Sequence, residues 1–435
     1  MVAVGWATAG AGQDKQAPFE IPPEGKGEVL VGGITFEGPS ALTFDSRNRP
    51  YMFHSREPKS FGTILTLRQG KWVRLSYLEA LRKTFPELRP PAGRSVHALG
   101  TIAIDNADGL YMIVPIRKGA DRSGWCLLYS PDLGGRFDVH ELPGTAFLET
   151  RVGHNKADAP PAIGCIVFRK AYPARWTAYH NLSVFLPTKK DGRLVLGEPI
   201  HVSSDCFGVS NHSGGYSFAV TTGWKTHLVY AEIPKMPNGG NPTYAATIDR
   251  RERKVTGRQF LATAPPKTPD VHSTPVIAVD AGGHLHAVAG AHGQPFLYVR
   301  SLKPDSITGG WTKSAPMGGR QTYATLVCDG RNRLHSIYRV HPRLLYQHKP
   351  AAADAWSVPV VIAHAPKGHR GYTIFYHRVF IDRAGALYVS FTFYETRTTT
   401  KGRYPRALAI SEDHGKTWRL ATTATFLRRE KGDRK

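Results

Sequence analysis

His272, His292, Tyr323 and Arg339 are residue types that could work together on one ligand. An imidazole changes protonation near pH ~6.5, so it can accept or return a proton under ordinary conditions. A guanidinium can hold a carboxylate through two parallel bonds. Such a group suits proton transfer on an anionic ligand, or retention of that ligand without reaction. The stretch DVHSTPVIAVDAGGHLHAVAGAHG, residues 270–293, reads as a strand, a tight turn and a returning strand. A three-residue loop at 281–283 sets His272 directly opposite His292 on one face. The same loop at 330–332 sets Tyr323 opposite Arg339 and Gln321 opposite His341. Aligned repeats bring Tyr376 to the place of Tyr323 and His97 near that of His272. A loop one residue longer would turn every one of these side chains to the other face.

The elements that must position these residues announce themselves by their turns. An apolar residue, then Asp-x-x-Gly/Asn, then a new apolar run recurs at Asp45, Asp280, Asp329 and Asp382, with a looser copy at Asp105. A type I turn closed by a residue in the left-handed region explains the pattern, because Gly and Asn carry the least penalty there, while Asp before the turn bonds its backbone. The long gap after Asp105 has room for two further turns, near residues 165 and 221, where FAVTTGWKTHLVYAE is a degenerate copy. Seven units of about 62 residues, rich in β-branched and aromatic residues, predict an all-β protein: a seven-bladed propeller of four-stranded antiparallel blades. A pair of β-sandwiches is the competing architecture. Only Leu75 to Leu88 reads as an amphipathic helix, inserted between the first two blades. SEDHGKTW, residues 411–418, matches the Asp-box pattern, with SPDLGGRF at Ser130 a partial copy; such a turn marks architecture rather than chemistry. The expected division is an N-terminal segment 1–27, a single propeller 28–425 and a basic tail 426–435.

The chain has 435 residues and a formal net charge of +23. A charge of that size concerns partners rather than fold: nucleic acid, anionic lipid and acidic polysaccharide are the candidates, and a solvated basic surface with no partner is the plain alternative. Nucleic acid is not expected, since no basic-aromatic module of a known recognition fold is present. No run approaches the roughly 18 apolar residues of a membrane helix, so no membrane association is expected. The small, Ala-rich opening MVAVGWATAGAGQDKQ reads as the remnant of an export signal, predicting a secreted or periplasmic monomer. Four widely spaced cysteines, Cys126, Cys165, Cys206 and Cys328, form no CxxC pair and no disulfide framework.

The run from Asp270 through TYATLVCDGRNRLHSIYR and YTIFYHRVFIDRAGALYVSF to the closing SEDHGKTW resembles the BNR-repeat propeller family that includes the ulvan lyases. NHSGGYSFAVTTGW, which contains His212, adds a fainter likeness. The resemblance implies a seven-bladed propeller that cleaves a sulfated, uronate-containing polysaccharide by β-elimination. It also implies a catalytic set of two histidines, a tyrosine and an arginine, which fall by motif on His272, His292, Tyr323 and Arg339. Tyr376, His341, His97 and His212 are then expected to bind substrate.

Those residue types suit elimination. The C5 proton of a uronate is barely acidic, and Arg339 could stabilise the dianion formed on its removal. His272 could take the proton and Tyr323 could protonate the leaving O4, or Tyr323 could serve as the base. His292 would orient His272 or bind substrate. Two other readings stay open: a carbohydrate-binding propeller without turnover, and a sialidase-like glycoside hydrolase, for which the usual carboxylate pair is not evident. The chemistry requires no cofactor. A structural zinc or calcium has only weak candidate ligands, Cys328 with His335 or Cys206 with His212, at spacings unlike those of zinc fingers.

Overall fold

The computed structural model describes residues 19–20, 29–30, 34–35, 41–54, 62–89, 102–118, 122–155, 157–172, 177–208, 217–234, 240–263, 271–290, 292–341, 343–364, 374–393 and 406–432. They form an all-β propeller. Five blades stand as separate antiparallel sheets, four of them four-stranded. The first runs Ala41–Phe44, Pro50–His54, Thr63–Arg68, Lys71–Leu75. The second, from Ile102–Ile104 to Asp138–Leu142, gains a fifth strand from Leu88–Arg89. The others start at Thr145–Leu148, Ala219–Thr222 and Ile374–Ile381.

Residues 276–364 depart from the expected seven separate blades by forming one continuous sheet, nine-stranded once Phe19–Glu20 pairs in parallel with Val360–His364. The physical reason is a single residue. Thr322 pairs with His292 on one side and Arg339 on the other, splicing two four-strand runs together. Two other expectations are corrected. The turn sought near residue 165 falls inside the strand Ile163–Ala171; its place is taken by a loop at 149–162, where Glu149 accepts the N–H of Ala162 at 2.9 Å. The helix is shorter than expected, Leu78–Thr84, and lies between the first two sheets.

The apolar clusters lie between successive sheets. Leu42, Phe44 and Met52 of the first sheet pack with Phe380, Tyr388 and Ile410 of the last, closing the ring. Phe44 and Tyr388 meet with centroids 5.2 Å apart. The Ser411 turn is held by Gly415 N–H to Ser411 Oγ at 2.7 Å and Thr417 N–H to Asp413 Oδ1 at 2.8 Å, with Trp418 buried beyond it. Its assignment as an Asp box rests on sequence.

Each Asp turn does two jobs. Asp329 Oδ1 accepts the N–H groups of Arg331 and Arg333, while Oδ2 meets His335 Nε2 at 2.9 Å, and His335 Nδ1 meets the Tyr346 hydroxyl at 2.8 Å. Asp280, His286 and Tyr298 repeat this chain. At Asp105 and Asp382 a tyrosine, Tyr111 or Tyr388, bonds the carboxylate directly. Where the left-handed residue is Asn or Asp, it then reaches the neighbouring Asp turn. Asn48, Asp108 and Asn332, each at φ 59, accept the N–H of Arg383, Ser46 and Ala281 at 2.7–2.8 Å. Asn or Asp there supplies an acceptor that Gly lacks.

Asn332→Gly should keep the turn but lose the latch, lowering stability by roughly 0.5–1.5 kcal/mol. Asn332→Ala should cost more, because an alanine pays for positive φ as well; chemical denaturation of the two variants gives the comparison. Acid titration tests the buried chain. Burial would raise the Asp329 carboxyl, yet the His335 bond and charge and the turn N–H groups pull it from 3.8 to about 2. Burial lowers the His335 ring below 6.5, partly offset by Asp329. Stability is therefore fully present above 6.5, declines below it as unfolded His335 takes a proton, and falls again from 3.8 through about 2 as Asp329 protonates. Asp329→Asn should lower the unfolding midpoint at neutral pH and flatten the lower limb; an unchanged limb would place the acid sensitivity elsewhere.

Candidate functional site

His272, His292, Tyr323 and Arg339 converge at the end of the sheets away from the Asp turns. The Ala281–Gly283 loop sets the expected register from Val276↔Val288 to Val279↔Leu285, but the ladder stops there. His272 instead sits in a short 3-10 turn, Val271–Ser273, and His292 opens the next strand, His292–Arg300. Gly290 makes their meeting feasible: a Cβ at that position would lie 2.5 Å from the Thr274 carbonyl oxygen and 2.7 Å from that of Ser273. The bare backbone packs on the turn, and the two imidazole rings face each other at 4.9 Å and 34°.

Tyr323 and Arg339 are not cross-strand partners as expected. Thr322 opposes Arg339, and Gln321 opposes Gln294 rather than His341. The expected register returns only at Val327↔His335. The one-residue shift has a backbone cause: Tyr323 has φ 68, a conformation that costs a bulky residue roughly 1–3 kcal/mol and tends to persist at functional sites. That kink turns the phenol under the histidines, with centroids 5.7 Å from His272 and 6.4 Å from His292. The Arg339 guanidinium carbon lies 4.6 Å from the centre of the same ring, a cation–π geometry.

The four residues differ in access. His292 is exposed and His272 half-buried, whereas Tyr323 is 0% and Arg339 5% exposed. The imidazoles form the mouth of the site; the phenol and guanidinium form its floor. Arg339 Nη1 donates to the Ile374 carbonyl at 3.3 Å. At the rim, Arg320 donates to the Gly293 carbonyl at 3.4 Å, adding positive charge beside His292.

The remaining sequence candidates divide. His341 stands exposed in the turn after Arg333–Val340, its pKa lowered by partial desolvation and then by the Arg339 charge. Tyr376 lies on the strand Ile374–Ile381, with its side chain outside the described residues. His97 and His212 also lie outside them. The metal candidates are not brought together. Cys328 and His335 occupy alternate positions of one hairpin and point to opposite faces. Both His335 ring nitrogens are engaged, by Asp329 and Tyr346. Cys206 is buried, and burial pushes its thiol up to about 12. Among the described residues no group of three or more His, Cys, Asp or Glu could hold a metal ion.

Sequence reasoning missed His377, which is fully buried with its ring centroid 6.0 Å from that of Tyr323. Its Nε2 lies 2.9 Å from the Tyr323 carbonyl oxygen and 3.1 Å from that of Ile337. Strand alternation around Tyr376 gave no sign of it, because the register slips between Phe375 and Arg378.

Comparison with known proteins adds a likeness to one family over part of the chain. No curated protein matches. Among solved structures, a Dyadobacter fermentans protein of unknown function is 13% identical, covering 72% of this chain and 93% of its own, at a TM-score of 0.43. An ulvan lyase bound to -[GlcA(1-4)Rha3S]- is 15% identical, covering 49% of this chain and 55% of that one, at a TM-score of 0.40. An alpha-L-arabinanase of Penicillium chrysogenum complexed with arabinobiose is 11% identical, covering 72% and 92%, at a TM-score of 0.44. Residues 241–428 match a BNR repeat-containing family member, so the stretch that carries all four converging residues is similar to that family.

Proposed function

We propose that this protein is a polysaccharide lyase, cleaving a sulfated, uronate-containing polysaccharide of the ulvan kind by β-elimination. The observation that carries the reading is the convergence of His272, His292, Tyr323 and Arg339, with the guanidinium stacked on the phenol and the imidazoles above it. Arg339 binds the uronate carboxylate and stabilises the charge that spreads onto it as the C5 proton leaves. His272, the half-buried member, takes that proton. The C4–O4 bond breaks, a C4–C5 double bond forms, and Tyr323 returns a proton to O4. His292 faces His272 and orients it. Since Tyr323 and Arg339 are closed to solvent, movement at the mouth precedes turnover.

The set consists of imidazoles, a phenol and a guanidinium, which fits elimination better than hydrolysis by two flanking carboxylates. The closed floor favours one second reading, a carbohydrate-binding propeller in which only the exposed imidazole mouth meets the sugar. The net charge of +23 serves both readings, since a cationic surface concentrates a polyanion near the mouth.

Ultraviolet absorbance should rise with time on a sulfated polyuronate as the conjugated double bond forms. His272→Ala and Arg339→Ala should each reduce the rate by at least about 100-fold, in line with losing a general base or a charge stabiliser. Added salt should raise KM much more than it changes kcat. Tyr323→Phe separates the two readings: a lyase loses turnover while binding persists, whereas a binding protein has no turnover to lose. Absence of any rise on polyuronates, with salt-sensitive binding retained, favours the binding protein.

A further inference from the structure

We propose that His377 is the positioning residue for Tyr323, donating one ring N–H to the Tyr323 and Ile337 carbonyls and so holding the tyrosine in its left-handed conformation. This deepens the lyase reading and rests on it for the activity arm of the test. Three observations carry it.

Residues 323–326 leave the strand ladder at the point where Thr322 ends its pairing, so their backbone groups need other partners. Two side chains stand in for the ladder here, reaching the backbone of Tyr323 and of Ile337 on the facing strand. Thr325 Oγ1 bonds the Ile337 carbonyl at 2.8 Å and accepts the Ile337 N–H at 2.7 Å. His377 Nε2 meets the Tyr323 and Ile337 carbonyls together. Both partners are acceptors, so Nε2 carries the proton.

The strand Ile374–Ile381 is distorted where it presents this ring. Phe375 pairs with Thr392 and Arg378 with Ser390, a bulge that falls at Tyr376 and His377. Bulges gather next to functional sites because they re-aim a side chain. The same strand supplies the Ile374 carbonyl that receives Arg339. One bulged strand thus fixes both members of the Tyr323–Arg339 stack.

The third observation concerns the other ring nitrogen. His377 Nδ1 is buried with no hydrogen-bond partner among the described residues. An unsatisfied buried atom calls for an explanation, and retention of the Nε2 donor gives one. Burial, with the charges of Arg339 and Arg378, lowers the ring to about 4, so it stays neutral with Nδ1 bare through the ordinary working range.

The test compares His377→Gln, whose amide N–H can stand where Nε2 stands, with His377→Leu, which has no donor. Crystal structures of both and their kcat and KM on the polyuronate are measured. Expected is a left-handed Tyr323 with kcat within about threefold in His377→Gln. In His377→Leu, Tyr323 should leave the left-handed region and kcat should fall about 10- to 100-fold with KM nearly unchanged. If His377→Leu does not fold, His377→Asn carries the comparison, since its shorter amide cannot span both carbonyls. A left-handed Tyr323 in the donor-free variant overturns the proposal, as does an equal loss of kcat in Gln and Leu variants that are equally stable. If the wild type turns over no polyuronate, the lyase reading fails, while the Tyr323 φ in the variants still decides the role of His377.

Discussion

The structure around the site depends on one pairing. Thr322 ends the strand Ala315–Thr322 with His292 on one flank and Arg339 on the other. A residue bonded on both sides cannot shift without disturbing two sheet runs, so the chain can kink directly after it at Tyr323. The splice that merges two four-strand runs into one sheet also brings the histidine pair within reach of the phenol and guanidinium. Elsewhere successive sheets meet through apolar clusters and turn latches. Here they meet through backbone, which sets distances far more tightly than side-chain packing does.

The repeat was legible because its signal is local. Asp-x-x-Gly/Asn specifies a turn through the φ of its last residue and the bonds of its first, and both can be judged from residue type. The four converging residues were legible as a set, because the turns fix which ends of the strands lie on a common face. Their register was not. Counting outward from 330–332 assumes an unbroken ladder, and the positive φ at Tyr323 breaks it by one residue. His377 was hidden for the same reason: a bulge obeys no alternation, and its position follows from carbonyls contributed by another strand. The merged sheet was illegible as well, since a pairing through one threonine leaves no pattern. The loop at 149–162 replaced an expected turn because its anchor, Glu149, is tied to Thr221 of the next sheet by a contact 72 residues away in sequence.

At the Asp280 and Asp329 turns polar groups are buried in chains rather than alone. Asp329, His335 and Tyr346, and likewise Asp280, His286 and Tyr298, pass hydrogen bonds from a turn carboxylate inward to a phenol. Such a chain satisfies each member at the cost of coupling them, so protonation of one disturbs all. The arrangement at the opposite end differs in kind. There His272 is half-buried and His292 exposed, and their rings face each other, whereas the turn histidines are fully enclosed. Two populations of histidine in one chain thus share a residue type but not a purpose, and position along the strand separates them.

Closure of the ring has a consequence for how the chain is made. Leu42, Phe44 and Met52 find their partners on Phe380, Tyr388 and Ile410, and Asn48 receives the N–H of Arg383, 335 positions later. During synthesis the first sheet therefore leaves the ribosome long before the surface that covers it exists. The apolar face it turns toward the last sheet must wait, open to water and to other nascent chains, until residues 374–420 have been translated. Until that closure forms, the exposed face is a site where the chain is open to aggregation, which a chain of equal length whose sheets bury one another in order does not carry for so long.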